Sequence, residues 1–156
     1  MRVAIGCDHA GFPLKAAVAR VVESLGHQVV DCGTHSTDPV DYPDYASKVA
    51  ARVIGGSCER GIVLCGSGVG AAVAANKVKG VRAGLCHDTY SAHQGVEHDD
   101  VNVLCLGGRV VGGDLAEEIV QAFLGARFTD EERHRRRLAK VLQMESTGAP
   151  LPEETP

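Results

Sequence analysis

Aromatic side chains are scarce: three Phe, three Tyr and no Trp make up 4% of the 156 residues. Nucleic-acid surfaces draw on stacking rings or a basic stripe. Neither is available here, since 20 acidic residues outnumber 16 Lys and Arg for a net charge of -4, so no nucleic-acid partner is expected. No apolar run approaches the roughly 20 residues of a membrane span, and MRVAIG enters a strand pattern with no signal-peptide layout. A cytoplasmic protein with no membrane partner is the expectation. The six cysteines (Cys7, Cys32, Cys58, Cys65, Cys86, Cys105) contain no C-x-x-C pair, which argues against a disulfide framework or a zinc knuckle. His87, His93 and His98 with Asp88 and Asp99 lack any H-E-x-x-H spacing, so a metal centre is not expected either.

What is present fits one compact domain, with 44% apolar and 23% charged residues. Short β-branched runs recur at RVAIG (2–6), HQVVDC (27–32), GIVLC (61–65), VRAGLC (81–86) and VNVLCLG (101–107). Helix-period stretches separate them; in the first, Leu14, Val18, Val21, Val22 and Leu25 form one stripe and Gly26 is a stop signal. Five strand–helix alternations predict an α/β fold with a parallel sheet and helices on both faces. Ligands of such sheets bind beyond the strands' carboxyl ends. That rule selects the loops 6–11, 33–45, 65–70, 87–100 and 107–113, which hold most of the histidines. Near the C-terminus, Thr129 and Glu132 have capping-box spacing. Arg133 and Arg137 then lie one turn apart beside a Leu138, Val141 and Leu142 stripe. The domain is read as 1–145, and the Pro-rich tail 146–156 is expected to be disordered.

The loop LCGSGVG (64–70) poses the functional question. Its glycine order is not G-x-G-x-x-G after a first strand, and neither it nor GCDHAG carries the G-K-[ST] of a P-loop. A cysteine-phosphatase loop would need an arginine where Ala71 stands. What remains is a strand-end thiol followed by small residues whose amides can form an anion nest at a helix N-terminus. Amides of that kind could serve as an oxyanion hole for an enediolate. A thiolate at such a position is a feasible general base near neutral pH, which singles out Cys65. Asp8-His9 and Glu97-His98-Asp99-Asp100 bring acids and imidazoles to the same sheet edge. There histidine can move protons in both directions, while Arg109, Arg133 and Arg137 could hold a phosphate.

IGCDHAGFPLK, VDYPDYA, GIVLCGSGVGAAVAANKVKGVRAGLC, YSAHQGVEHDDVNVLCLGGRVVG and ERHRRR, in that order over residues 1 to 142, resemble the ribose-5-phosphate isomerase B family. That family also includes galactose-6-phosphate isomerase subunits. The resemblance implies a Rossmann-like three-layer α/β/α sandwich with a C-terminal helix reaching a partner subunit, assembled as a homodimer or tetramer. It implies aldose–ketose isomerisation of a small-molecule sugar phosphate through a cis-enediolate, without metal or cofactor, in sites shared between subunits. By resemblance Cys65 is the base, and Gly66, Ser67, Gly68, Val69 and Gly70 form the anion hole. His98 opens the sugar ring with help from Asp8, His9, Arg109, Arg133 and Arg137 bind phosphate, and Tyr42 lines the pocket. Some members use a glutamate six positions after the cysteine instead; here that position is Ala71. Two departures stand out. Ser67 replaces a common Thr and keeps the hydroxyl, and Asp99 replaces a common Asn and could alter which aldose fits. Ribose 5-phosphate is the expected substrate. Another four- to six-carbon sugar phosphate, or a non-catalytic binding module, is the alternative.

Overall fold

A computed structural model describes residues 1–152. The chain runs β1 (Arg2–Cys7), α1 (Phe12–Ser24), β2 (Gln28–Asp31), α2 (Tyr42–Ile54), β3 (Arg60–Cys65), α3 (Val69–Ala75), β4 (Ala83–Leu85), α4 (Thr89–Asp99), β5 (Val103–Gly107), α5 (Gly113–Gly125) and α6 (Glu132–Thr147). All strand pairs are parallel, in the order β2-β1-β3-β5-β4. The central strands are buried on both faces, which is why β1, β3 and β5 read as continuous apolar runs rather than alternating ones.

Two apolar layers flank the sheet. Val3, Ile5, Ile62, Leu64, Leu104 and Leu106 pack against α1, α4 and α5 around the fully buried Phe123. Ala4, Val63, Val103 and Cys105 pack against α2 and α3 through Ala46, Val49, Ala71 and Ala75. This is the expected Rossmann-like three-layer sandwich. In α1 the predicted stripe is buried at Leu14, Val18, Val21 and Val22, while Leu25 stays exposed. Gly26 adopts φ +76 just past the helix, the left-handed stop that favours glycine.

Three details differ from the sequence expectation. The fourth strand is only Ala83–Leu85, because the Arg82 amide donates to the Asn102 side chain (2.8 Å) instead of entering the ladder. Thr129 and Glu132 form no capping box. The Thr129 amide and hydroxyl both donate to the Glu97 carbonyl, at 3.0 and 3.1 Å, and Glu131 takes the N-cap place without a side-chain bond. Glu97 offers one of the last carbonyls of α4, which lack intrahelical partners, whereas the first turn of α6 is largely open to water. The third difference is at the tail boundary: α6 continues to Thr147 and closes on Gly148 at φ +64. Residues 153–156 of the expected tail lie outside the described residues.

The strands' carboxyl ends are held together by close backbone contact. A Cβ on Gly11 would lie 2.4 Å from the Leu64 carbonyl carbon and oxygen. Gly11→Ala must therefore push the loop after β1 away from β3. We expect a loss of about 1–3 kcal/mol, the usual cost of overpacking, read as a lower urea midpoint with an unchanged m value.

Candidate active site

Between β1 and β3 the sheet order reverses, and crevices form at such switch points. The loops after β1, β3 and β5 meet there: Asp8 N donates to Leu64 O (3.1 Å), Gly108 N to Cys65 O (2.7 Å) and Arg109 N to Gly66 O (3.0 Å). They enclose a cleft of about 430 Å³ lined by Asp8, His9, Ala10, Tyr42, Cys65, Gly66, Ser67, Gly70, Arg109 and Val110. Eight residues singled out in the sequence thus converge: Asp8, His9, Tyr42, Cys65, Gly66, Ser67, Gly70 and Arg109.

Each is placed by a local cause. Asp8 is buried, and its Oδ1 accepts from the amides of Ala10 and Gly11, both at 2.8 Å, fixing the turn into α1. His9 Nδ1 lies 3.2 Å from both the amide nitrogen and the carbonyl oxygen of Val40, which ties it to the segment before α2. Gly70 permits the Tyr42 ring to approach; a Cβ there would sit 2.8 Å from it. Gly68 has φ +80, and a Cβ would meet Leu85 at 2.4 Å and the Leu106 backbone at 3.0 Å. Only glycine fits that turn. It aims the Gly68 amide at the Cys65 sulfur, 3.0 Å away. The Ser67 hydroxyl accepts from Val69 N at 3.3 Å, holding the first turn of α3.

Cys65 differs from the other strand-end thiols by its setting in a cleft. Burial pushes the Cys7 thiol up to about 11, against the partial relief of Lys15, and does the same at Cys86. The Cys105 thiol is pushed up by burial more strongly still. Those three are packing groups. All six cysteines are free, and no cluster of metal ligands occurs among the described residues.

The remaining predicted residues lie outside this cleft's lining. His98 and Asp99 end α4; Arg133 and Arg137 are exposed on α6. Asp99 lines a separate groove of about 840 Å³ between α6 and the β4 edge, with Leu138, Val141 and Leu142. This second constellation contains two residues that the sequence reading missed. His134 is 1% exposed, stacks on His98 with ring centroids 4.1 Å apart, and has Nδ1 2.7 Å from the Thr129 hydroxyl. Gln94 Nε2 lies 2.8 Å from His98 Nδ1. The i, i+4 spacing of Gln94 and His98 was the available signal for the second. Inside the run ERHRRR nothing marked His134 as buried, since a charge run ordinarily faces water.

A family model described as Ribose/Galactose Isomerase matches residues 3–141. The ribose-5-phosphate isomerase B of Escherichia coli is 46% identical over 144 residues, 92% of this chain and 96% of that protein. The D-erythrulose-4-phosphate isomerase of Pectobacterium atrosepticum is 42% identical over 82% of this chain and 85% of that one. The solved ribose-5-phosphate isomerase B of Clostridium thermocellum superposes with a TM-score of 0.92 at 46% identity, covering 96% of this chain and all of that one. The class is therefore that of aldose–ketose isomerases, and the reading as a non-catalytic binding module is set aside. The chain belongs to the ribose/galactose isomerase family.

Burial, then the neighbouring His98 and Arg133, hold the His134 imidazole below its usual value; Glu131 opposes them and Arg137 reinforces them. With the folded-state pKa below the unfolded value near 6.5, the neutral ring's contribution is complete above that value and is lost as pH falls through it. Between pH 7 and 5 the wild type should lose thermal stability more steeply than His134→Phe. Parallel slopes in a pH series of melting curves would count against a neutral buried ring.

Proposed function

We propose that the protein interconverts ribose 5-phosphate and ribulose 5-phosphate through a cis-enediolate, with Cys65 as the base. The observation that carries this reading is the Cys65 sulfur at the floor of the cleft, 3.0 Å from the Gly68 amide and ringed by His9, Tyr42 and Arg109. A thiolate there removes the C2 proton of the aldose and returns it at C1. The loop Gly66, Ser67, Gly68, Val69 and Gly70 forms the anion hole: the Gly68 amide holds the Cys65 sulfur and the Val69 amide the Ser67 hydroxyl, while the amides of Gly66, Ser67 and Gly70 serve the developing enediolate oxygens, where each donor is worth about 10²-fold or more in rate. His9 and Arg109 face the phosphate. The second oxygen of Asp8, free of the turn, assists ring opening. A cytoplasmic setting with six reduced thiols belongs to the same reading.

Ring opening and the rest of the phosphate grip fall to His98, Arg133 and Arg137, which lie outside the cysteine cleft of their own chain. A second copy supplies them. The exposed apolar residues Val69, Val73 and Val110 beside the cleft, and Val141 and Leu142 on α6, support that docking. The alternative substrate is another four- to six-carbon sugar phosphate, a reading supported by the likeness to the Pectobacterium enzyme and by the added Asp99 carboxylate next to His98 in the chain. Isomerisation rates on a panel of four- to six-carbon sugar phosphates, measured with a chelator present, separate the two.

Cys65→Ala and Cys65→Ser should lose turnover by about 10³-fold or more, in the range of a lost general base, while sugar-phosphate binding survives. Solvent deuterium should enter C2 with the wild type and not with the variants. Near-normal turnover in Cys65→Ala would remove the thiol from the mechanism.

Mixing inactive Cys65→Ala with inactive Arg137→Ala protein should restore activity once chains exchange, because one site of each mixed dimer is then intact. Exchange is followed separately by mass spectrometry of differently tagged chains. Complete exchange with no recovered activity would assign both residues to a site within one chain.

A further inference from the structure

We propose that Gln94 and His134 are positioning residues that hold the His98 imidazole in one plane and one tautomer, with Nε2–H as the hydrogen-bond donor directed at the ring oxygen of the sugar. This rests on the assignment of ring opening to His98.

Two contacts pin the ring from different directions. Gln94, one helical turn earlier on α4, places its amide nitrogen 2.8 Å from His98 Nδ1. An amide nitrogen only donates, so Nδ1 accepts and the neutral ring keeps its hydrogen on Nε2. His134 covers one face of the same ring at 4.1 Å, with 30° between the planes. Gln94 alone would permit rotation about its hydrogen bond, and stacking alone would permit a ring flip. Together they leave one arrangement.

His134 is suited to this because it stays neutral. Its Nδ1 faces the Thr129 hydroxyl, whose single hydrogen is directed to the Glu97 carbonyl, so Nδ1 is the donor of that pair. Its Nε2 is the one buried side-chain nitrogen or oxygen without a partner among the described residues. A second proton there would be a buried N–H with no acceptor, which is costly. Around it Arg133, Arg137 and His98 oppose a positive ring, while Glu131 favours it; the Glu97 carboxylate on α4 is engaged by His93 at 3.4 Å. A neutral imidazole stacks on the His98 ring without setting a charge or a competing donor against it.

Ring opening requires this control. The bond between C1 and the ring oxygen breaks as the anomeric hydroxyl gives its proton to the free oxygen of Asp8 and the ring oxygen, held by the His98 Nε2–H, takes that proton as it leaves, so a donor that changes nitrogen or plane reaches the wrong atom. Misplacement on the ångström scale is enough to slow such transfers by about 10²-fold.

The test joins a spectrum to kinetics. In nitrogen-15 spectra of the histidines above pH 8, wild-type His98 should show one tautomer, protonated on Nε2, and Gln94→Leu should show both. Gln94→Leu should lower kcat on ribose 5-phosphate by about tenfold or more with KM little changed. Turnover of D-erythrose 4-phosphate, too short to close a furanose, should stay within about twofold by the same logic. His134→Ala should resemble Gln94→Leu, and His134→Phe, which keeps a stacking ring, should recover most of the loss; Gln94, half-exposed on its helix, keeps the test usable if His134→Ala does not fold. The proposal is overturned if wild-type His98 is a tautomer mixture, if Gln94→Leu keeps a single one, or if both substrates slow equally. A wild type inert on both sugar phosphates would overturn the proposed function instead, and the spectra would still decide whether the ring is pinned.

Discussion

Everything at the site depends on three loops touching backbone to backbone. Where the loops after β1, β3 and β5 leave the sheet, Gly11 lies against the Leu64 carbonyl, Gly107 against the Ser67 carbonyl and Gly108 against the Ala10 carbonyl, with no side chain between them. Such contacts have no rotamers to adjust. The sulfur of Cys65, the turn at Asp8 and the start of the Arg109 loop are thus fixed relative to one another by the sheet itself. Preorganisation of this kind is what donors facing a developing charge require.

The candidate site residues divide between two clusters. One is the cleft at the switch point, with the thiol, the amides and Arg109. The other is the junction of α4 and α6, where Thr129 satisfies the Glu97 carbonyl and presents its hydroxyl to His134, which in turn stacks on His98. Within the first, a place in the cleft lining separates the Cys65 thiol from the strand-end thiols that only pack. Within the second, His134 is buried amid a run of arginines and stacks on His98. The two clusters are thereby held by separate sets of contacts.

How legible this was depended on whether a residue's role is set locally. The parallel sheet, the layers and the first helix with its Gly26 stop follow from apolar periodicity and punctuation, and they appear where periodicity placed them. Most cleft residues were legible because they sit at or just past the end of an apolar strand run, and sheet topology brings such ends together; Tyr42, at the start of α2, was legible only through the family resemblance. Thr129 was misread because a capping box is a local pattern, while its actual partner, Glu97, is 32 residues away. His134 was missed for the same reason: its burial is created by α4, and no feature of ERHRRR announces that. The shortened β4 reflects a side-chain amide, Asn102, substituting for a ladder bond, which periodicity cannot express.

The sheet's outer strands have a consequence for how copies of this chain can meet. β2 is four residues long and β4 three, and an edge that short gives an incoming strand little to pair with. Growth of the sheet from one molecule into the next is therefore a poor route to association, whether ordered or aggregating. Contact between copies is left to side chains on helices and loops, a surface that can be shaped residue by residue, whereas a strand edge attracts any extended peptide.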